Sequence, residues 1–190
     1  MFGRCTSELL RVSRFPGDLR TIAFAGTIAR AIELNRSPLI RGLPEERFQR
    51  LMRTCFPGVS LRNAAPVPTS TIADEFEDIL SLLIEHCTPI DEAKDWLSHC
   101  VASAAMAEGH LWVEMGLPSR AVLSSLFALY FPVLASGNTG NMRWKKYLYR
   151  KLCERAGIHA CRAPRCADCM DYAACFGVEE TNVRTAAGEN

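Results

Sequence analysis

Residues 73–87 read ADEFEDILSLLIEHC. Phe76, Ile79, Leu80, Leu83 and Cys87 recur at i, i+3, i+4, i+7 and i+11, which is one face of a helix with 3.6 residues per turn. Asp74, Glu75, Glu77 and Asp78 crowd its start, where negative charge suits the positive end of the helix dipole. No stretch of the chain shows the sustained two-residue alternation of a strand. This pattern decides the fold class as all-α.

Other helices follow on both sides. GDLRTIAFAGTIARAIELN (17–35) is rich in alanine and isoleucine and is predicted to stop before Pro38, where proline forbids continuation. PEERFQRLMRTCF (44–56) places proline and two glutamates in a first turn and stops at Pro57-Gly58. SLRNAAPVPTS (60–70) is a polar, proline-bearing loop. Thr88-Pro89-Ile90-Asp91 resembles a capping box opening a helix over 89–107, with Ala93, Leu97, Cys100, Val101 and Ala104 as its buried stripe. Residues 119–131 are apolar on most sides and are expected to form the central helix, which Pro132 ends or kinks. A last helix over 142–155 buries Trp144, Tyr147, Leu148 and Leu152 and is capped by Gly157. GLPEERFQRLMRTCFP (42–57) echoes GLPSRAVLSSLFALYFP (116–132), one residue out of step, as duplicated hairpins or as coincidence.

The expected organisation is a flexible N-terminal segment (1–15), a compact multi-helix body (16–157), a cysteine-rich loop packed on that body (158–177) and a disordered polar tail (178–190). With 190 residues, 48% of them hydrophobic, the chain can bury a core without covalent staples. A net charge of +1 provides no global field for nucleic acid or an anionic membrane. The longest apolar stretch, AVLSSLFALYFPVLA (121–135), is too short and too broken to span a bilayer, and no signal-peptide core is present. The expected location is the cytoplasm.

RWKKYLYRK (143–151) mixes five basic residues with three aromatics, a chemistry nucleic acid could use. The balanced charge elsewhere, and the fall of these aromatics on the core stripe, favour an anionic ligand or an acidic partner instead. No Ser–His–Asp set, paired carboxylates or phosphate-binding glycine loop occurs, so nothing points to a hydrolase.

The chemistry gathers in HACRAPRCADCMDYAACFG (159–177), where Cys161, Cys166, Cys169 and Cys175 are spaced C-x4-C-x2-C-x5-C. The chain has nine cysteines, an odd number, which together with a reducing compartment argues against a disulfide framework and for metal or redox chemistry. Structural zinc sites come as two short pairs separated by a dozen or more residues, whereas cuboidal iron–sulfur clusters favour one wrapping loop. Soft thiolates also suit zinc and copper, so spacing leaves the metal open. Arg162 and Arg165 stand between the cysteines, where they offset thiolate charge or merely solvate a loop. Cys153, on the side of its helix shared with Lys146 and Arg150, is a spare ligand or an exposed thiol. His110 and His159 are ligand candidates or packed residues, His86 and His99 are read as structural, and Asp168 and Asp171 as turn residues or oxygen donors.

The run NMRWKKYLYRKLCERAGIHACRAPRCADCMDYAACFGVEE (141–180) resembles the C-terminal signature of the NifQ family of nitrogen-fixation proteins. Trp144-Lys145-Lys146, Leu152-Cys153, the four cysteines and Cys175-Phe176-Gly177 carry the match, and GHLWVEMGLPSR (109–120) adds to it. The resemblance implies a molybdenum role, in which the protein takes molybdenum from molybdate or another donor. It then carries the metal in a molybdenum–iron–sulfur cluster and gives it to the machinery that builds the iron–molybdenum cofactor of nitrogenase. The partners so implied are the NifEN scaffold and the iron protein NifH, with no nucleic acid and no membrane. Cys161, Cys166, Cys169 and Cys175 would be the ligands. The competing reading is a small helical interaction module whose four cysteines hold structural zinc.

Overall fold

The expected helices form, and their ends have local physical causes. A computed structural model describes residues 3–64, 75–87, 91–158 and 166–177. The described residues contain α-helices and short turns and no strand. The expected tail (178–190) and residues 65–70 of the 60–70 loop lie outside them.

The first difference lies at the N-terminus. Within residues 1–15, expected as a flexible segment, stands helix α1 (Arg4–Val12). Its Thr6, Leu9 and Leu10, at i, i+3 and i+4, are buried, and it packs on α2 (Leu19–Glu33). Asp18 caps α2 by accepting from the backbone N–H groups of Arg20 at 2.7 Å and Thr21 at 3.4 Å. α2 does not run on to Pro38. Its last residue is Glu33, and the chain turns away at Asn35, which takes the left-handed conformation (φ 50°) while the amides of Asn35 and Arg36 bond back to the carbonyls of Ile32 (3.0 Å) and Ala31 (2.8 Å).

α3 (Glu45–Cys55) begins after Pro44, and α4 (Phe76–Glu85) buries Phe76, Ile79, Leu80 and Leu83 as its periodicity demands. α5 (Glu92–Ala105) is capped by Asp91, whose side chain accepts from the Lys94 amide at 2.8 Å, while Thr88, Pro89 and Ile90 fall outside the described residues. Here the expectation about the centre is corrected. Every residue from Trp96 to Ala102 in α5 is buried, because α2 and α4 both pack against it and small residues such as Ser98 and Ala102 let them approach.

α6 (Leu111–Glu114) is a single turn leading to α7 (Arg120–Tyr130), the helix expected at the centre. α7 buries Leu123, Leu126, Phe127 and Tyr130 but leaves Leu129 60% exposed, so it is a surface helix. Pro132 occupies the first turn of α8 (Pro132–Gly137) and so starts a new helix.

The sequence echo has a structural counterpart. Gly42 (φ 71°) and Gly116 (φ 59°) both take the left-handed conformation. After each the chain enters a helix that closes on a fully buried phenylalanine, Phe56 or Phe131, each with φ −130°. Both phenylalanines precede a proline, which excludes the helical region for the residue before it.

α9 (Trp144–Arg155) joins the body to the cysteine segment. The Trp144 ring stacks on Phe127 with centroids 4.0 Å apart, its Nε1–H donates to Ser124 Oγ at 2.9 Å, and Tyr147 meets it edge-on at 5.9 Å. α9 also packs on α4, where Arg155 pairs with Glu85 at 2.8 Å. Gly157 (φ 69°) caps it as expected: its amide reaches Glu154 O at 3.2 Å, and the Ile158 amide reaches Cys153 O at 2.8 Å. Among the described residues, no helix is long and apolar enough to cross a membrane.

Candidate metal-carrying site

The described part of the cysteine segment is built from two short elements. Cys166 opens a 3₁₀ turn (Cys166–Asp168), and the Cys169 amide donates to the Cys166 carbonyl at 3.1 Å. That closed turn keeps the two Cα atoms within about 7 Å of each other. The Tyr172 amide then donates to the Cys169 carbonyl at 3.1 Å and leads into α10 (Tyr172–Phe176), which carries Cys175. Inside α10, Tyr172 and Phe176 stack with ring centroids 4.6 Å apart.

All three of these thiols are half-buried. Cys161 and His159 lie outside the described residues. Among the described residues, no three His, Cys, Asp or Glu side chains converge into a group that could hold a metal ion. Cys153, half-buried on α9, and His110, half-buried at the start of α6, are therefore not drawn together with Cys166, Cys169 and Cys175 into a ready-made site. Asp168 and Asp171 are exposed; Asp171 precedes α10, and its carbonyl accepts from the Ala174 amide at 3.0 Å.

The donors nevertheless suit a soft metal, and the core cysteines differ from them. Cys55, Cys87 and Cys100 are buried in the core. Burial pushes the Cys55 thiol up to about 11 and the Cys100 thiol further still, so neither forms a thiolate near neutral pH. Cys166, Cys169 and Cys175, by contrast, are only half-buried. His99 and His86 fill the structural roles expected of them: Nδ1 of His86 lies 2.8 Å from Leu82 O, and buried His99 sits 3.2 Å from Arg41 O.

One residue of the site was not singled out by its pattern. Arg143, just before α9, donates its backbone N–H to Cys175 O at 2.8 Å, Nε to Gly177 O at 3.2 Å and Nη1 to Ala174 O at 3.2 Å. In the sequence it was one member of a basic cluster. The other members are used differently. Lys145 donates to the Ala107 carbonyl, and burial pulls its pKa below the usual lysine value. Arg150 and Lys151 both bond Glu154 at 2.8 Å, and these bonds hold the Glu154 carboxyl below its usual range.

With this geometry in view, comparison with known proteins is informative. The NifQ family model matches residues 23–177, from α2 through the last cysteine. The chain belongs to the NifQ family. The NifQ homolog of Sinorhizobium fredii (strain NBRC 101917 / NGR234) is 33% identical over 204 aligned positions, covering 98% of this chain and 86% of that protein. NifQ of Azotobacter vinelandii is 35% identical over 155 positions, 75% of this chain and 80% of its own length. NifQ of Rhodobacter capsulatus is 47% identical over 81 positions, 43% of this chain and 45% of its own. No solved structure matches. Membership places the chain in nitrogen fixation and in the biosynthesis of the iron–molybdenum cofactor.

Proposed function

We propose that this NifQ protein carries molybdenum in a molybdenum–iron–sulfur cluster and donates it during iron–molybdenum cofactor synthesis. Cys161, Cys166, Cys169 and Cys175 hold the cargo, with Cys153, His110 and His159 as the reserve donors. The observation that carries the reading is the placement of Cys166, Cys169 and Cys175. They are half-buried on one short surface segment, while the core cysteines are sealed away.

Three thiolates suffice for three iron corners of a cube, and the fourth cysteine or an oxygen or nitrogen donor serves a molybdenum corner. Delivery is ligand exchange: bonds from the cargo to these thiolates give way to bonds from the receiver's ligands, and no organic substrate is turned over. The protein is thus a carrier and not an enzyme, and it works in the cytoplasm with the NifEN scaffold and the iron protein NifH. Molybdate or another molybdenum donor supplies the metal.

The test is metal and acid-labile sulfide content, with electron paramagnetic resonance, on full-length protein purified without oxygen from molybdate-fed cells. Iron, sulfide and molybdenum together support the reading. A colourless protein with zinc and no sulfide overturns it in favour of a structural zinc module.

A further inference from the structure

We infer that Arg143 is a positioning residue, which fastens the C-terminal cysteine turn to the helical body and so fixes Cys175 for its cargo. α10 has only five residues, far below the length at which a helix holds itself in water. The last carbonyls of a helix lack intrahelical partners. Here the backbone N–H of Arg143 donates to the Cys175 carbonyl, and its guanidinium donates to the carbonyls of Ala174 and Gly177. A guanidinium presents its N–H groups as a rigid planar fork, so it can reach two carbonyls at once, which a lysine ammonium does less well.

Two glycines fit this arrangement. A Cβ on Gly177 would meet the Ala173 carbonyl oxygen first and also stand 3.2 Å from Arg143 Nη2, so a side chain there would crowd the turn and the guanidinium together. A Cβ on Gly140 would stand 3.2 Å from the Phe176 ring, so the turn before α9 is shaped to receive that ring. The fastening also places a permanent positive charge beside the main chain of Cys175, where thiolates bring negative charge. The cargo half of this inference rests on the carrier reading; the fastening half rests on the hydrogen bonds alone.

The test compares full-length wild type with Arg143→Met and Arg143→Lys. In metal-free protein, pulse-labelled amide hydrogen exchange should quicken at least about tenfold over 172–177 in Arg143→Met. α2 and α5 should stay as protected as in wild type, and Arg143→Lys should fall between. After anaerobic loading with ferrous iron, sulfide and molybdate, Arg143→Met should lose iron to a ferrous chelator several-fold faster and show a broadened paramagnetic signal. Unchanged exchange over 172–177, or equal loss of protection in α2 and α5, overturns fastening by the guanidinium, since the backbone bond from residue 143 to Cys175 O is common to all three proteins. Faster exchange with an unchanged rate of iron loss overturns the positioning of cargo. Uptake of zinc without sulfide by the wild type overturns the carrier reading and the cargo half with it, while exchange still decides the fastening.

Discussion

Gly26 of α2 and Gly116, after α6, meet backbone against backbone. A Cβ on Gly26 would fall 2.9 Å from the Gly116 carbonyl oxygen and closer still to that of Met115. A Cβ on Gly116 would fall 2.9 Å from the Cα of Gly26. Neither neighbour is a flexible side-chain end that could swing aside, so Gly26→Ala should destabilise by roughly 2–3 kcal/mol. Gly58 (φ 85°), with open space around its would-be Cβ, is the comparison. Gly58→Ala should cost about 1–2 kcal/mol from backbone strain alone. Thermal melting of both variants checks this, and a Gly26→Ala protein that melts with wild type would refute the close approach.

The Trp144 indole offers a second check. Ser124→Ala leaves its buried N–H without the 2.9 Å acceptor and should cost about 1–3 kcal/mol. Trp144→Phe keeps an aromatic face for Phe127 but removes the donor. If the hydrogen bond matters, the double variant is more stable than the sum of the single losses predicts, by at least about 0.5 kcal/mol. Strict additivity in denaturant titrations would count against it.

His99 sets a pH dependence. Burial is the main influence on it and keeps its imidazole neutral below the usual 6.5, although Asp95 and Glu77 and the Arg41 carbonyl favour the charged form; Arg47 acts with burial. The unfolded chain therefore takes up this proton first as pH falls. Stability should drop from about pH 6.5 downward until the folded value is reached, and His99 should add no slope above that window. His99→Gln should flatten the stability profile between pH 7 and 5. An unchanged slope would show that other groups carry it.

Thiol reactivity should sort the cysteines. At pH 8 in folded, metal-free protein, iodoacetamide should label Cys166, Cys169 and Cys175 and spare Cys55 and Cys100, whose thiols burial has raised. Peptide mass spectrometry reads each site. Loading with iron, sulfide and molybdate should then protect the first group, whereas equal labelling of loaded and unloaded protein would remove these thiols from the cargo.

How much of this was legible in the sequence depends on where each signal is local. The stripe of Phe76, Ile79, Leu80 and Leu83 is a property of one helix and is written out in order. The stripe of Thr6, Leu9 and Leu10 is equally local, but it is short and set among arginines, so α1 passed as a flexible segment. Which helix is central depends on partners. α5 reads as a helix with one buried stripe, which leaves out Ser98 and His99, yet the first bonds Lys94 O at 3.0 Å and the second the Arg41 carbonyl, and both are buried. The cysteine spacing was plain to read, but Arg143 reaches carbonyls more than thirty positions away, and nothing in RWKK distinguishes that arginine from its neighbours.

The cap at Gly157 and the bond from Arg143 to Cys175 sit at opposite ends of α9. The twelve-residue helix is about 18 Å long. Residues 159–174, sixteen of them, leave it at one end and return to it at the other. Cys161, Cys166 and Cys169 thus fall within a stretch of chain whose two ends are fastened to a single rigid rod. Folding has already met the entropy of bringing those ends together, so on the carrier reading proposed above a metal would have a smaller loop to close than in a free tail. On the same reading, release of the metal would break only its bonds to the thiolates and leave both fastenings in place.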